Sequence, residues 1–232
     1  MLSTLTDLLN TPALAIGPLI ASRAEVLGAL LGLWMVGCNL RVHPLGWLLA
    51  MLSSLLYLLV FWEARLYGDA SLQILFIVVA AWGWWQWRYA RRDSGEAITV
   101  HRLSRRGRWA ALLAMTLLWP ALGLLLGHFT DTDVPWWDAF STAGSVIATV
   151  LLGRKCVENW PAWLVVNLVA IGLFAYKALW LTVGLYALFA LLAAVGWRAW
   201  ARLAAGSTGS TGSAGLAGST EPIGSTTPAP SA

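Results

Sequence analysis

The sequence predicts an all-α integral membrane protein with seven transmembrane helices, arranged as two parallel three-helix repeats joined by one inverting helix. Three observations carry that prediction. Of 232 residues, 59% are hydrophobic and only 11% charged, with a mean hydropathy of +0.69, whereas soluble domains run about 45–50% apolar and about 25% charged. The charged residues gather in short segments bounding seven uncharged apolar stretches. The first three of those stretches share glycine and tryptophan positions with the last three. The formal charge of +4, confined to loops, is not the face of a nucleic-acid binder.

The lead-in, residues 1–23, mixes Leu with Thr, Asp7 and two prolines, a composition for an interfacial or irregular segment rather than a span. It has no basic n-region and no A-x-A site, so a cleaved signal peptide is not expected. The first repeat, 24–88, holds apolar stretches 26–40, 42–62 and 70–87. A basic loop and linker helix occupy 89–130, with the apolar run at 109–130. The second repeat, 131–203, holds 139–153, 159–176 and 178–197. Crossing a bilayer takes roughly 17–25 residues, so the shorter stretches must borrow flanking charged residues that snorkel to the interface. Residues 204–232, rich in Gly, Ser, Thr, Ala and Pro, read as a disordered tail.

Short basic loops stay cytoplasmic. With 88–108 inside, Arg41, the seven Arg of that segment, Arg154, Lys155, Arg198 and Arg202 are inside, twelve of fifteen cations; Asp69, Asp131, Asp133 and Asp138 then face out. The N-terminus is therefore expected outside and the C-terminus inside.

Sliding the chain on itself by 116 residues places Gly28 and Gly37 on Gly144 and Gly153, and Trp47-Leu48 on Trp163-Leu164. A three-residue deletion then brings Leu75-Phe76 onto Leu188-Phe189 and a shared G-W-x-x-W at Gly83–Trp87 onto Gly196–Trp200. Helices 1 and 5 cross in the same direction, so the copies are parallel, a recurrent transporter architecture with substrate held between the halves.

Sixteen tryptophans exceed what interfacial belts require. Belt or packing roles account for Trp109, Trp119, Trp136, Trp137, Trp180, Trp197 and Trp200, at or near span ends. Trp82, Trp84, Trp85 and Trp87 crowd one helix end, and Trp84 and Trp87 share a face. On the sixth span Trp160, Trp163 and Asn167 fall at i, i+3 and i+7, one stripe of the helix. A mid-membrane amide is costly unless bonded, so Asn167 and Gln73 are polar handles or interhelical glue. Rings beside amides suit a flat heterocycle such as a nucleoside or vitamin, and a cationic one gains from the ring faces. No Asp, Glu, Lys or His sits centrally in a span, which favours facilitated diffusion, and no P-loop is present. Cys38 and Cys156 lack metal-type spacing and read as small buried hydrophobes, so neither metal nor cofactor is expected. His43, His101 and His128 are scattered and no carboxylates pair, which argues against an enzyme or a scaffold with a catalytic set.

The segment Arg154-Lys155-Cys156-Val157-Glu158-Asn159-Trp160, with Trp163 and Asn167, resembles the R-K-x-x-E-N-W-x-x-W-x-x-x-N signature of PnuC-type nicotinamide riboside transporters. Trp82–Trp87 is similar to that family's Y-G-W-x-x-W, with Trp82 replacing the Tyr, and Leu66-Tyr67 and Leu72-Gln73 also match. The resemblance covers about residues 24–200. It implies a three-plus-one-plus-three fold similar to the SWEET sugar transporters, a homotrimer in the bacterial inner membrane, and uptake of nicotinamide riboside by facilitated diffusion with trapping by a cytoplasmic kinase. It also implies substrate contact at Gln73, Trp84, Trp87, Trp160, Trp163 and Asn167. Members similar in sequence move thiamine or riboflavin, which stay as alternatives.

Overall fold

The computed structural model describes residues 11–16, 19–63, 67–90, 99–130, 132–178 and 180–217. A short antiparallel hairpin, β1 (Pro12–Ile16) and β2 (Leu19–Ser22), precedes seven helices: α1 (Arg23–Leu40), α2 (Leu45–Glu63), α3 (Tyr67–Tyr89), α4 (Arg105–Phe129), α5 (Pro135–Gly153), α6 (Asn159–Tyr176) and α7 (Trp180–Ala217). The helices fall on the seven apolar stretches, and the flanking charges needed for length are inside them. Arg105, Arg106 and Arg108 belong to the first turn of α4, and Asp138 to that of α5.

The described part of the lead-in is a short hairpin, in which strand pairing satisfies the backbone groups of Pro12–Ile16 and Leu19–Ser22. One boundary differs. Helix α7 passes Ala204 and runs to Ala217, because propagation adds one hydrogen bond per residue to a helix already nucleated upstream. Residues 1–10 and 218–232 of the two terminal segments lie outside the described residues, as do 91–98 of the basic loop.

The chain is a multi-pass protein embedded in the membrane. Among the described residues three helices, Arg105–Phe129, Asn159–Tyr176 and the Thr182–Gly206 part of α7, are long and apolar enough to cross a bilayer; α1 and α2 contain the shorter apolar segments Val26–Leu40 and Leu45–Leu59. Leu112, Leu113, Leu117 and Leu124 of α4 point outward, an arrangement that only a hydrocarbon solvent makes favourable.

Packing divides the helices into two triplets. Helix α2 packs on α1 and α3, α6 packs on α5 and α7, and the triplets meet through α3 with α5 and α1 with α7. Helix α4 rests on α5, where the Trp136 ring fills the space beside Gly123 and the Trp119 indole donates to Trp136 O at 2.9 Å. Ser104 caps α4, its Oγ accepting from Gly107 N–H at 3.1 Å.

Helices α1 and α5 end alike. Val42 and Lys155 take φ of 54° and 56°, the left-handed region that disfavours a side chain, most of all a branched one. His43 N–H donates to Cys38 O and Cys156 N–H to Leu151 O, both at 2.9 Å, while Val42 and Lys155 N–H reach Asn39 O and Leu152 O. This is the paired-carbonyl helix ending that normally uses glycine, made twice without one at positions 113 apart (42 to 155, 38 to 151).

Candidate substrate cavity

The two triplets enclose a cavity of about 380 Å³ lined by residues of α1, α2, α3, α5, α6 and α7, and by none of α4. Among the described residues, no Asp, Glu, Lys, Arg or His lines it. Its polar groups are the amides of Asn39, Asn159 and Asn167 and hydroxyls that include Ser54, Ser145 and Thr149. Asn39 and Asn167 are buried, at 6% and 5% exposure.

The end of the cavity nearest the basic loops is built from four tryptophans. Trp47 and Trp87 meet edge to face at 5.7 Å and 86°, and Trp160 and Trp200 do so at 5.6 Å and 84°. Trp87 and Trp200 bring the two pairs together at 6.1 Å. Each pair needs a glycine: a Cβ on Gly83 would enter the Trp47 ring, and one on Gly196 the Trp160 ring. The two outer indoles then cross between triplets. Trp87 Nε1–H donates to Leu152 O at 3.1 Å, and Trp200 Nε1–H is shared by Asn39 O and Leu40 O, each at 3.2 Å. Carbonyls at the ends of α5 and α1 thus receive a donor from the opposite triplet, Leu152 O and Asn39 O in addition to the Lys155 and Val42 N–H groups they already accept from.

These pairings also recur 113 residues apart: 47 with 160, 83 with 196, 87 with 200, and the accepting residues 39 with 152. The 116-residue match of glycines is therefore corrected. Gly37 has nothing within 4 Å of a Cβ, whereas a Cβ on Gly153 would strike Trp82; Gly28 abuts Tyr57 and Gly144 abuts Val166. Small residues coincided in sequence while occupying dissimilar places. The counterpart of Trp163 is Ala50, not Trp47, and that of Asn167 is Ser54, not Met51. Trp47/Trp160, Phe76/Phe189 and Ala80/Ala193 are identical pairs that all line the cavity.

Of the six residues expected to contact substrate, Trp160, Trp163 and Asn167 line the cavity together. Trp87 is buried at 8% exposure with its indole committed to Leu152 O, so it supports the cavity end. Trp84 lies outside the lining, 5.9 Å from Tyr89 and with the Arg88 guanidinium over its ring at 5.9 Å. Gln73 is half-buried and also outside the lining; its counterpart at the same separation, Tyr186, is in it. Sequence reasoning passed over Asn39, Ser54, Ser145 and Thr149, whose short polar side chains give no periodic signal in apolar helices. The 113-residue register would have found Ser54, as the counterpart of Asn167. Buried polar atoms without a partner include Trp47 Nε1, Trp160 Nε1, Asn39 Oδ1 and Asn159 Oδ1, all on lining residues. Unpaired buried groups at a cavity are where a polar ligand has most to offer.

The R-K-x-x-E-N-W segment holds the loop side in place. Glu158 Oε2 accepts from Leu103 N–H at 2.8 Å, and residues 101 and 156 form a parallel bridge through His101 N–H to Lys155 O and Val157 N–H to His101 O. The linker that precedes α4 is thereby tied to the start of α6. Cys156, 1% exposed, lies 3.7 Å from His101 Nε2, and burial pushes its thiol up to about 11. Burial also lowers the Lys155 ammonium, which sits 5.6 Å over the Trp87 ring. Cys38 is buried like Cys156. Among the described residues no group of three or more His, Cys, Asp or Glu is placed to hold a metal.

Residues 22–202 match the family model described as nicotinamide mononucleotide transporter. The nicotinamide riboside transporter PnuC of Escherichia coli is 22% identical over 180 residues, covering 67% of this chain and 75% of that one. The riboflavin/roseoflavin transporter RibM of Streptomyces davaonensis is 29% identical over 152 residues, covering 65% and 71%. Among solved structures, the crystal structure of the vitamin B3 transporter PnuC superposes with a TM-score of 0.61 at 23% identity, over 78% of this chain and 81% of that one.

Proposed function

This chain belongs to the nicotinamide mononucleotide transporter family, a family of membrane transporters rather than enzymes, and from that premise we propose that it takes up nicotinamide riboside. The observation that carries the proposal is the convergence of Trp160, Trp163 and Asn167 on a cavity without a charged side chain. A nucleoside offers a flat ring for the indoles and hydroxyls for the amides, and a cationic ring gains about 0.5–2 kcal/mol from each ring face. Net phosphate charge would meet no cation there. The absence of a carboxylate among the lining residues supports facilitated diffusion, with a cytoplasmic kinase trapping the product.

The architecture that serves this is two parallel repeats, α1–α3 and α5–α7, with α4 as the inverting linker in a three-plus-one-plus-three, SWEET-like arrangement. The shared helix endings, the twin tryptophan pairs and the reciprocal α3–α5 and α1–α7 contacts support it. Rocking of the halves about the axis between them alternates access. The basic-loop count supports a cytoplasmic C-terminus and an external N-terminus in a bacterial inner membrane. The outward leucines of α4 are a surface for lipid or for neighbouring copies in a homotrimer.

Riboflavin is the second reading, because the RibM relative is the more similar in identity, 29% against 22%. Uptake of labelled nicotinamide riboside, riboflavin and thiamine into proteoliposomes decides. Saturable riboside transport is expected; saturable flavin or thiamine transport with none of the riboside refutes the first reading. Asn167→Leu and Trp163→Ala should each weaken binding by about tenfold or more without preventing membrane insertion, and normal transport by both would show that the amide is only interhelical glue.

A further inference from the structure

Resting on the reading of the cavity as a site for a ring-bearing vitamin, we propose that Ala50 sets which rings are accepted: the ring lies between Trp163 and Ala50. The argument starts from the 113-residue register. Where counterparts agree, as Trp47 and Trp160 do, both halves need the same thing, a closed cavity end. A substrate without two-fold symmetry must be recognised where counterparts differ. Five counterpart pairs in the cavity lining differ: Gly32 against Ser145, Val36 against Thr149, Asn39 against Leu152, Ala50 against Trp163, and Ser54 against Asn167.

In four of the five the second triplet holds the larger or more polar partner; at Asn39 against Leu152 the amide is on the first. Thr149 and Asn167 bring a hydroxyl and an amide, while Val36 and Ser54 bring a branched alkyl group and a single small hydroxyl. The largest difference is Ala50 against Trp163. Helices α2 and α6 belong to different triplets, which meet through α1 with α7 and α3 with α5, so counterparts on α2 and α6 stand on opposite walls. A tryptophan on both walls would close the space between them. With an indole on one wall and a methyl group on the other, what remains is a slot for a planar group, stacked on Trp163 and bounded by Ala50. Trp163 and Ala50 are only partly buried, and both pack against the buried cluster that holds the four tryptophans. Selectivity then resides in the small residue: the indole attracts any ring, and the side chain at 50 limits its thickness and reach.

The test uses the purified full chain and the variants Ala50→Ser, Ala50→Val and Ala50→Leu, titrated with nicotinamide riboside and with riboflavin, while ligand-free melting reports folding. For whichever ligand the wild type binds, Kd should rise in order of side-chain volume, by about tenfold or more at leucine, and more steeply for the three-ring flavin where both bind. If Ala50→Leu fails to fold, the serine and valine steps decide. Unchanged affinity in every folded variant overturns the slot, and it does so unambiguously if Asn167→Leu still loses binding. A wild-type protein that binds neither ligand refutes the transporter substrate reading instead.

Discussion

Replacing Gly196 by alanine probes the packing on which the cavity end depends. A Cβ there would stand 2.5 Å from Cε3 and 2.6 Å from Cε2 of Trp160, a ring that is 3% exposed and held edge to face against the fully buried Trp200. The ring has nowhere to retreat except into the cavity, so the methyl group overpacks the site at about 1–3 kcal/mol. Alanine in place of glycine inside a helix works in the opposite direction by up to about 1 kcal/mol. Gly184→Ala, in the same helix α7 with nothing within 4 Å of its Cβ, isolates that second effect. The two variants should therefore differ by about 1–3 kcal/mol, roughly 2–12 °C in apparent Tm for a chain of this size. Gly196→Ala should also weaken substrate binding, since Trp160 lines the cavity. Melting of both purified variants in one detergent, followed by ligand titration, provides the comparison. Equal Tm values and wild-type affinity for Gly196→Ala would refute the claim that the glycine exists to admit the indole.

Three further outcomes are expected. Trp200→Phe keeps a ring but removes the donor shared by Leu40 O and by Asn39 O, which keeps Val42 N–H; this should cost about 0.5–1.5 kcal/mol and lower Tm, and an unchanged Tm would mean the crossing hydrogen bond contributes nothing. Cys156 should resist maleimide at neutral pH in the folded protein and react after denaturation in SDS, because the thiol is buried and its pKa is pushed up to about 11; rapid labelling without denaturation would show that the 99–103 tie to α6 opens readily. Between the α4–α5 and α6–α7 loops, Lys177 Nζ donates to Asp133 Oδ1 at 3.1 Å. That bond lowers the Asp133 pKa below 3.8 and raises that of Lys177 above 10.5, so the pair's contribution is flat between about pH 5 and 9 and is lost as pH falls through the lowered Asp133 value or rises through the raised Lys177 value. Both groups are exposed, so the Tm difference between wild type and Lys177→Met should be small and shrink further in 1 M salt; a large, salt-independent difference would contradict a surface pair.

Local chemistry was enough to specify the seven helices, their approximate ends and the membrane as solvent. Long runs without charge, broken by Arg and Asp, have one low-energy arrangement in a bilayer, since each helix satisfies its own backbone. The stripe of Trp160, Trp163 and Asn167 was legible for the same reason: helical periodicity fixes which side chains share a face, and here that face meets the cavity. What composition could not decide was the α7 terminus, because weak helix formers such as the Gly and Ser after Ala205 follow a strong helix.

Only the tertiary structure decided the register between the halves and the roles of the other aromatic residues. Apolar helices offer many small-residue matches, and Gly37 and Gly153 coincide in identity while one faces open space and the other a tryptophan ring. Which of several tryptophans lines a cavity, as Trp163 does, and which closes its end, as Trp87 does, depends on where the helix axes pass, and no spacing within one helix carries that information. The sequence by itself determined the helices and the stripe that Trp160, Trp163 and Asn167 share; only the packing of the helices decided that this stripe and Ala50 line one cavity, because which faces of different helices meet is set by the helix axes and not by spacing within one helix.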